Sequence, residues 1–300
     1  MKSALPVASR NSVSLLLQPN TLGVTTPGVR SFFWSHVVDI YQQIFTAVKK
    51  DPTIFVLFTF IALVDLGVLT FLFLAPMAPV SNLLAPIIRT FWDDIYLHYP
   101  QNFLLLPKLF KHAHFLVMAT FGIWVNALVV KKIENQLTER KKRSLLSLSG
   151  SVLKKYIPLL FSWLAVYFLF TNSLKLINWF MPKVLVLHLG VLFAMTLAAQ
   201  SLAAFLMPVI LCGGKNFFQS WKEAFRQGVL NFKTMSVLTL IPILAVVLLA
   251  FLSAFTPVYV RIYPELTLWI LVLVSIAMTL VDFFVTSTAT VLFLEQRGQK

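Results

Sequence analysis

The sequence predicts an all-α membrane protein in which six transmembrane helices form three hairpins, each preceded by an amphipathic interfacial helix. Three observations lead there. Hydrophobic residues make up 58% of the 300-residue chain and charged residues 12%, whereas soluble domains carry about a quarter charged residues. Six runs are long and apolar enough for a hydrocarbon core that takes about 20 residues to cross. Lys and Arg gather on alternate connections by about three to one, as they do when one face of the membrane is cytoplasmic.

In chain order, residues 1–30 read as a flexible N-terminal tail rich in Ser, Thr and Pro, with Lys2, Arg10 and Arg30 and no acid. A transit peptide has the same composition. A secretory signal needs a longer apolar core than "VSLLL". The single transmembrane domain covers 31–297. Its spans are predicted at 54–74, 110–130, 157–177, 184–211, 235–255 and 266–294. His112, His114, Trp124 and Asn126 interrupt the second, so five spans are the alternative count.

Interfacial helices are predicted at 31–50, 141–156 and 215–233. In the last, Phe217 or Phe218, Trp221, Phe225, Gly228 or Val229, and Phe232 recur at three- and four-residue steps, with Lys215, Gln219, Lys222, Glu223, Arg226 and Gln227 opposite. That period marks an amphipathic helix suited to the headgroup layer. Phe33, Val37, Ile40 or Tyr41, Ile44 and Val48 repeat the pattern before the first span, and Leu145, Leu148, Val152 and Tyr156 before the third. Lys49, Lys50, Lys154, Lys155, Lys222, Arg226 and Lys233 are the residues expected to meet anionic headgroups. Three such units suggest a threefold internal repeat, although any basic linker between hairpins could share the pattern.

The net charge of +14 is accounted for by orientation and headgroup contact, and no nucleic-acid motif is present. Cys212 is the only cysteine, which excludes a disulfide framework and a multi-cysteine metal site. Walker, GxSxG, HExxH and GxGxxG motifs are absent, so no catalytic residue and no cofactor are expected. "CGGK" at 212–215 lacks phosphate-loop spacing; its glycines suit a turn out of the fourth span.

Candidate chemistry lies inside the spans. Asp65 and Asp282 fall near the middles of the first and sixth, where an ionisable group is a functional hypothesis by default. Ser275, Thr279, Asp282, Thr286 and Thr290 share one helical face, which would line a polar interior or pack against a neighbour. Asp65, Asp282, Thr279, Thr286 and His188 are therefore the transport candidates, and buried hydrogen-bonding glue is their alternative role. No metal site is predicted; Asp93, Asp94, His98, His112 and His114 could contribute ligands only if HxH lay on a strand or loop.

The layout of three hairpins, with "LMPVILCGGKNFFQSWKEAFRQGVLNFKTMSVLTLIPIL" before the last, resembles bacterial six-span families of poorly known function, including the membrane domain attached to some glycerophosphodiester phosphodiesterases. The likeness covers most of 31–297. It implies no catalytic residue here, since the chain has no room for the soluble barrel of those fusions. The leading expectation is a non-enzymatic scaffold, assembly factor or complex subunit at the inner leaflet, with the anionic bilayer and a protein partner or second copy as its company. A small transporter using Asp65 and Asp282 is the alternative. The expected location is a bacterial inner membrane with both termini cytoplasmic, an organelle's inner membrane being the second choice.

Overall fold

The computed structural model describes residues 29–138, 144–180 and 185–298. The tail expected at 1–30 therefore falls outside the described residues up to 28, as do 141–143 of the second interfacial helix. Contacts divide the chain into a short unit ending at His36 and a large one from Val37. The large unit contains every helix able to cross a membrane.

Every described element is helical, with no strand among the described residues. In order they are α1 (Val29–Lys50), α2 (Thr53–Phe73), α3 (Ser81–Phe91), a short 3-10 turn (Asp94–Leu97), α4 (Asn102–Val117), a π turn (Met118–Gly122), α5 (Ile123–Leu137), α6 (Leu145–Leu153), α7 (Tyr156–Phe180), α8 (Leu185–Ala203), α9 (Leu206–Cys212), α10 (Phe217–Leu230), α11 (Phe232–Ala254), α12 (Thr256–Ile262) and α13 (Leu266–Gly298).

Six helical stretches are long and apolar enough to cross a membrane: Thr53–Phe73, Asn102–Leu137, Tyr156–Leu176, Gly190–Cys212, Phe232–Ser253 and Leu266–Gly298. Among the described residues there are thus six such candidates rather than five. The second differs most from its predicted bounds, because helix begins at Asn102 and runs through Pro107 and the π turn to Leu137. Proline is tolerated in such a helix when neighbours satisfy the freed carbonyl.

The fourth stretch is broken. Regular helix stops at Ala203 and resumes at Leu206. Pro208 explains the break, since it has no N–H to offer the carbonyl of Ala204 and its ring crowds that turn.

The long α13 is the centre of the bundle and packs against α2, α4, α5, α9, α11 and α12. Between Val285 and Phe293 every residue is buried, including Ser287, Thr288 and Thr290. A helix enclosed on all sides has no polar face to turn to water; Thr290 Oγ1 donates to the Thr286 carbonyl at 2.6 Å, whereas Ser287 Oγ and Thr288 Oγ1 have no partner among the described residues. Around it, α2, α7 and α11 present Phe55, Leu63, Phe161, Phe168, Ile241 and Leu248 outward. At the far end, Leu69, Phe103, Leu106, Phe110, Val260 and Leu271 form one cluster that ties α2, α4, α12 and α13 together.

The start of α2 and the end of α13 lie at the same end of the bundle. From α1, Gln43 Nε2 donates to Glu295 Oε1 at 2.7 Å and Tyr41 donates to the Leu238 carbonyl at 2.6 Å. The buried face of α1 from Val37 on is Val37, Ile40, Ile44 and Ala47.

Candidate functional site

Asp65 is completely buried on α2. Its Oδ2 lies 2.7 Å from Nδ1 of His114 on α4 and accepts from the Ser275 hydroxyl of α13 at 3.3 Å. Oδ1 has no hydrogen-bond partner among the described residues. A buried carboxylate costs several kcal/mol unless neighbours compensate, so the imidazole is the main reason that Asp65 can sit there. The sequence offers His114 as a metal ligand; the structure gives it to Asp65 instead. On a helix, residues two apart point in different directions. His112 accordingly stays exposed, with Nδ1 2.7 Å from the Lys108 carbonyl.

Farther along α13, Asp282 lines a partly open cavity of about 220 Å³ bordered by the π turn and α5, α7, α8, α9 and α13. Among the described residues no donor bonds its carboxylate, although it lies within electrostatic range of His114 and Asp65. Met118, Asn126, Ser162, Trp163, Tyr167, Thr196, Gln200 and Thr286 contribute to the wall. Thr286 Oγ1 donates to Asn126 Oδ1 at 3.4 Å, Ser162 accepts from Trp221 Nε1 at 3.0 Å, and Thr196 donates to its own helix at Leu192.

Two interruptions of regular helix flank the cavity. The π turn supplies Met118, and the break between α8 and α9 supplies Ala203, Ala204, Leu206 and Met207. Membrane transporters commonly build binding sites from discontinuous helices, and π turns concentrate at functional sites.

The polar face foreseen on the sixth span thus divides by level. Ser275 serves Asp65, Thr279 donates to the Ser275 carbonyl at 3.0 Å, Asp282 and Thr286 face the cavity, and Thr290 is sealed below it. His188 belongs to α8, but its side chain lies outside the described residues.

At the end of the bundle shared by the start of α2 and the end of α13, three cations, from α5, from the turn between α6 and α7, and from α13, close α9. Lys131 Nζ donates to the Leu211 carbonyl at 3.0 Å, Lys155 Nζ to Ile210 at 2.7 Å, and Arg297 Nη1 to Cys212. Orphan carbonyls at a helix C-terminus, with their partial negative charge, are what such groups satisfy. Burial, then the neighbouring Lys131 charge, pull the Lys155 ammonium below its ordinary pKa. Lys155, read from sequence as a headgroup ligand, therefore points its ammonium inward, while Lys154 is exposed. Nearby, Lys132 Nζ pairs with Asp51 at 2.6 Å. Burial alone would raise the Asp51 carboxyl, but the Lys132 ammonium and Thr53 outweigh it and hold the group below its usual range.

On α10 the inward face is Ser220, Ala224, Gln227 and Gly228. A methyl on Gly228 would stand 2.7 Å from the Leu202 carbonyl oxygen, which shows how near α10 comes to α8. Phe218, Phe225, Val229 and Leu230 are exposed on one side, with Lys222 and Arg226 also exposed. Lys49, Lys50 and Lys233 are exposed as well. Gly214, at φ +66, makes the left-handed turn into α10 that a side chain would resist.

The stretch from Arg89 to His114 does not draw its acids and histidines into one cluster. Arg89 pairs with Asp94 at 2.6 Å and His98 with the same carboxylate at 3.6 Å, while Asp93 accepts from the backbone of Ile95. Among the described residues no group of three metal-type ligands occurs.

The fold defines a class: an all-helical protein with six helices able to span a membrane, compatible with an integral multi-pass protein. Compared with protein-family models, characterised proteins and solved structures, the chain has no match. Its own residues are therefore the guide to function.

Proposed function

We propose that the protein is a membrane carrier for a small solute, which it holds in the cavity at Asp282, with Asp65 and His114 as a neighbouring pair able to exchange a proton. The observation that carries the reading is the Asp282 carboxylate, which faces a cavity between two helix interruptions and has no hydrogen-bonding partner among the described residues. Structural glue would have found a donor on a neighbouring helix, as Asp65 does in His114 and Ser275. The site fits in a bacterial inner membrane with both termini cytoplasmic, three hairpins, and α1, α6 and α10 lying along the inner leaflet. The chemistry is binding and passage rather than catalysis.

A carrier must expose its site to each side in turn. With Cys212→Ser as background, Thr196→Cys should react with a small membrane-impermeant thiol reagent added to either side of reconstituted vesicles. Labelling from one side only, or from neither, would overturn the carrier.

A second reading, attachment of a scaffold or complex subunit through α10, has its own support: the apolar side chains of Phe218, Phe225 and Leu230 are exposed beside Lys222 and Arg226. Aromatic residues next to cations suit anionic headgroups at the hydrocarbon boundary. The two readings are compatible, since this face turns away from α8 and the cavity.

A further inference from the structure

We propose that the ligand of the cavity is a small organic cation, an ammonium compound of about ten non-hydrogen atoms, since about 220 Å³ is below the range of drug-sized pockets. This rests on the carrier reading for the location of the site and adds the chemical class that the site selects.

Charge selects the sign of the ligand. Asp282 lines the cavity, and none of the described residues that line it is Lys, Arg or His. An anionic ligand would meet the Asp282 carboxylate with no cation in the described lining to offset the repulsion, since His114, though within electrostatic range, is paired with Asp65. A cation would instead supply the partner that the protein leaves out.

The wall favours an organic cation over a metal ion. A hard cation such as Ca²⁺ collects six to eight oxygens, and Mg²⁺ about six, in close geometry. Here there is one carboxylate, and no three-ligand group is present among the described residues. Trp163 and Tyr167 of α7 also line the cavity. They lie one turn apart with rings stacked at 5.4 Å and 16°, and Phe115 packs against them at 5.2 and 4.7 Å, which limits their rotation. A counter-charge together with fixed aromatic surfaces is the combination that recognises alkylammonium groups, whose diffuse charge and apolar substituents both gain from it.

Polarity is also available for the rest of the ligand. Gln200 lines the space, and its amide makes no hydrogen bond to a described residue. It can therefore bond a hydroxyl or carbonyl carried by the ammonium compound.

Binding of tetramethylammonium and tetraethylammonium to the full chain in nanodiscs, measured by calorimetry, tests the inference. At least one should bind saturably and benzoate should not. Asp282→Asn should weaken binding by at least about tenfold and Trp163→Leu by severalfold, Asp282→Glu should retain most of it, and Asp94→Asn, at the exposed outer loop, should change nothing. Thermal unfolding of each variant certifies that it is folded. No saturable binding of either cation, or equal binding by folded Asp282→Asn, overturns the inference. The carrier reading fails separately: Thr196→Cys labelled from both sides without cation binding would sink the ligand class and leave the carrier, whereas cation binding without two-sided labelling would do the reverse.

Discussion

Replacing Gly228 by alanine separates packing from propensity. Gly228 is buried in α10, and on helix propensity alone the change should stabilise by about 0.5–1 kcal/mol. The new methyl, however, would lie 2.7 Å from the Leu202 oxygen, 2.9 Å from its Cα and 3.2 Å from its carbonyl carbon. All three are backbone atoms of α8, so no rotamer relieves the contact. The helices must part by about 0.7 Å to restore an ordinary 3.4 Å contact. Overpacking of that kind costs about 1–3 kcal/mol. The net expectation is a loss of up to about 2.5 kcal/mol, centred near 1, after the propensity gain is set against it. The comparison is Gly150→Ala at an exposed position of α6, where no atom lies within 4 Å of the added methyl; that change should stabilise. Thermal unfolding in mild detergent reads both. If Gly228→Ala raises the melting temperature as Gly150→Ala does, the close approach of α10 to α8 is wrong.

The acid limb of stability should depend on Glu223. Burial would raise this carboxyl, but bonds from Gln227 and Arg226 and the Arg226 and Lys215 charges bring it down to about 2 from an ordinary 4.5. With the folded value below the unfolded one, its contribution is complete above about pH 4.5 and disappears as pH falls towards about 2. Melting temperature against pH should therefore drop less steeply across that window in Glu223→Gln, and an unchanged slope would refute the linkage. Replacing Lys222 and Arg226 together by Gln should reduce binding of the detergent-purified protein to anionic relative to neutral vesicles, by about 1 kcal/mol per cation in the headgroup field. Equal preference before and after would remove α10 from headgroup contact.

The spans were legible in the sequence because burying about 20 apolar residues in hydrocarbon outweighs most local detail. What the apolar runs do not encode are interruptions and the short helices between spans. The π turn at 118–122 leaves the hydropathy of "MATFG" unchanged, and the seven residues of α12 are too few to show a period, whereas the one-sided α3 lies between the apolar runs. The break before Leu206 was half visible, since Pro208 marks the kink, but its meaning depends on α7 and α13 lying across from it.

The pairing of Asp65 with His114 was hidden for a definite reason. With the second span begun at Phe110, "KHAH" falls at a water-facing end, where two histidines two apart look like metal ligands. Beginning the helix at Asn102 places His114 about eight residues farther in, at the level of Asp65 on α2 and Ser275 on α13. On that helix His112 and His114 must diverge, one outward and one inward. An inward histidine and an otherwise uncompensated carboxylate in two membrane-deep helices then have a strong physical reason to meet, because each alone would be costly. Asp282 has no such donor among the described residues. The two aspartates differ in that Asp65 is held through Oδ2 by His114 and Ser275 while Asp282 lines a cavity with no donor among the described residues, and the proposed ligand site rests on that difference.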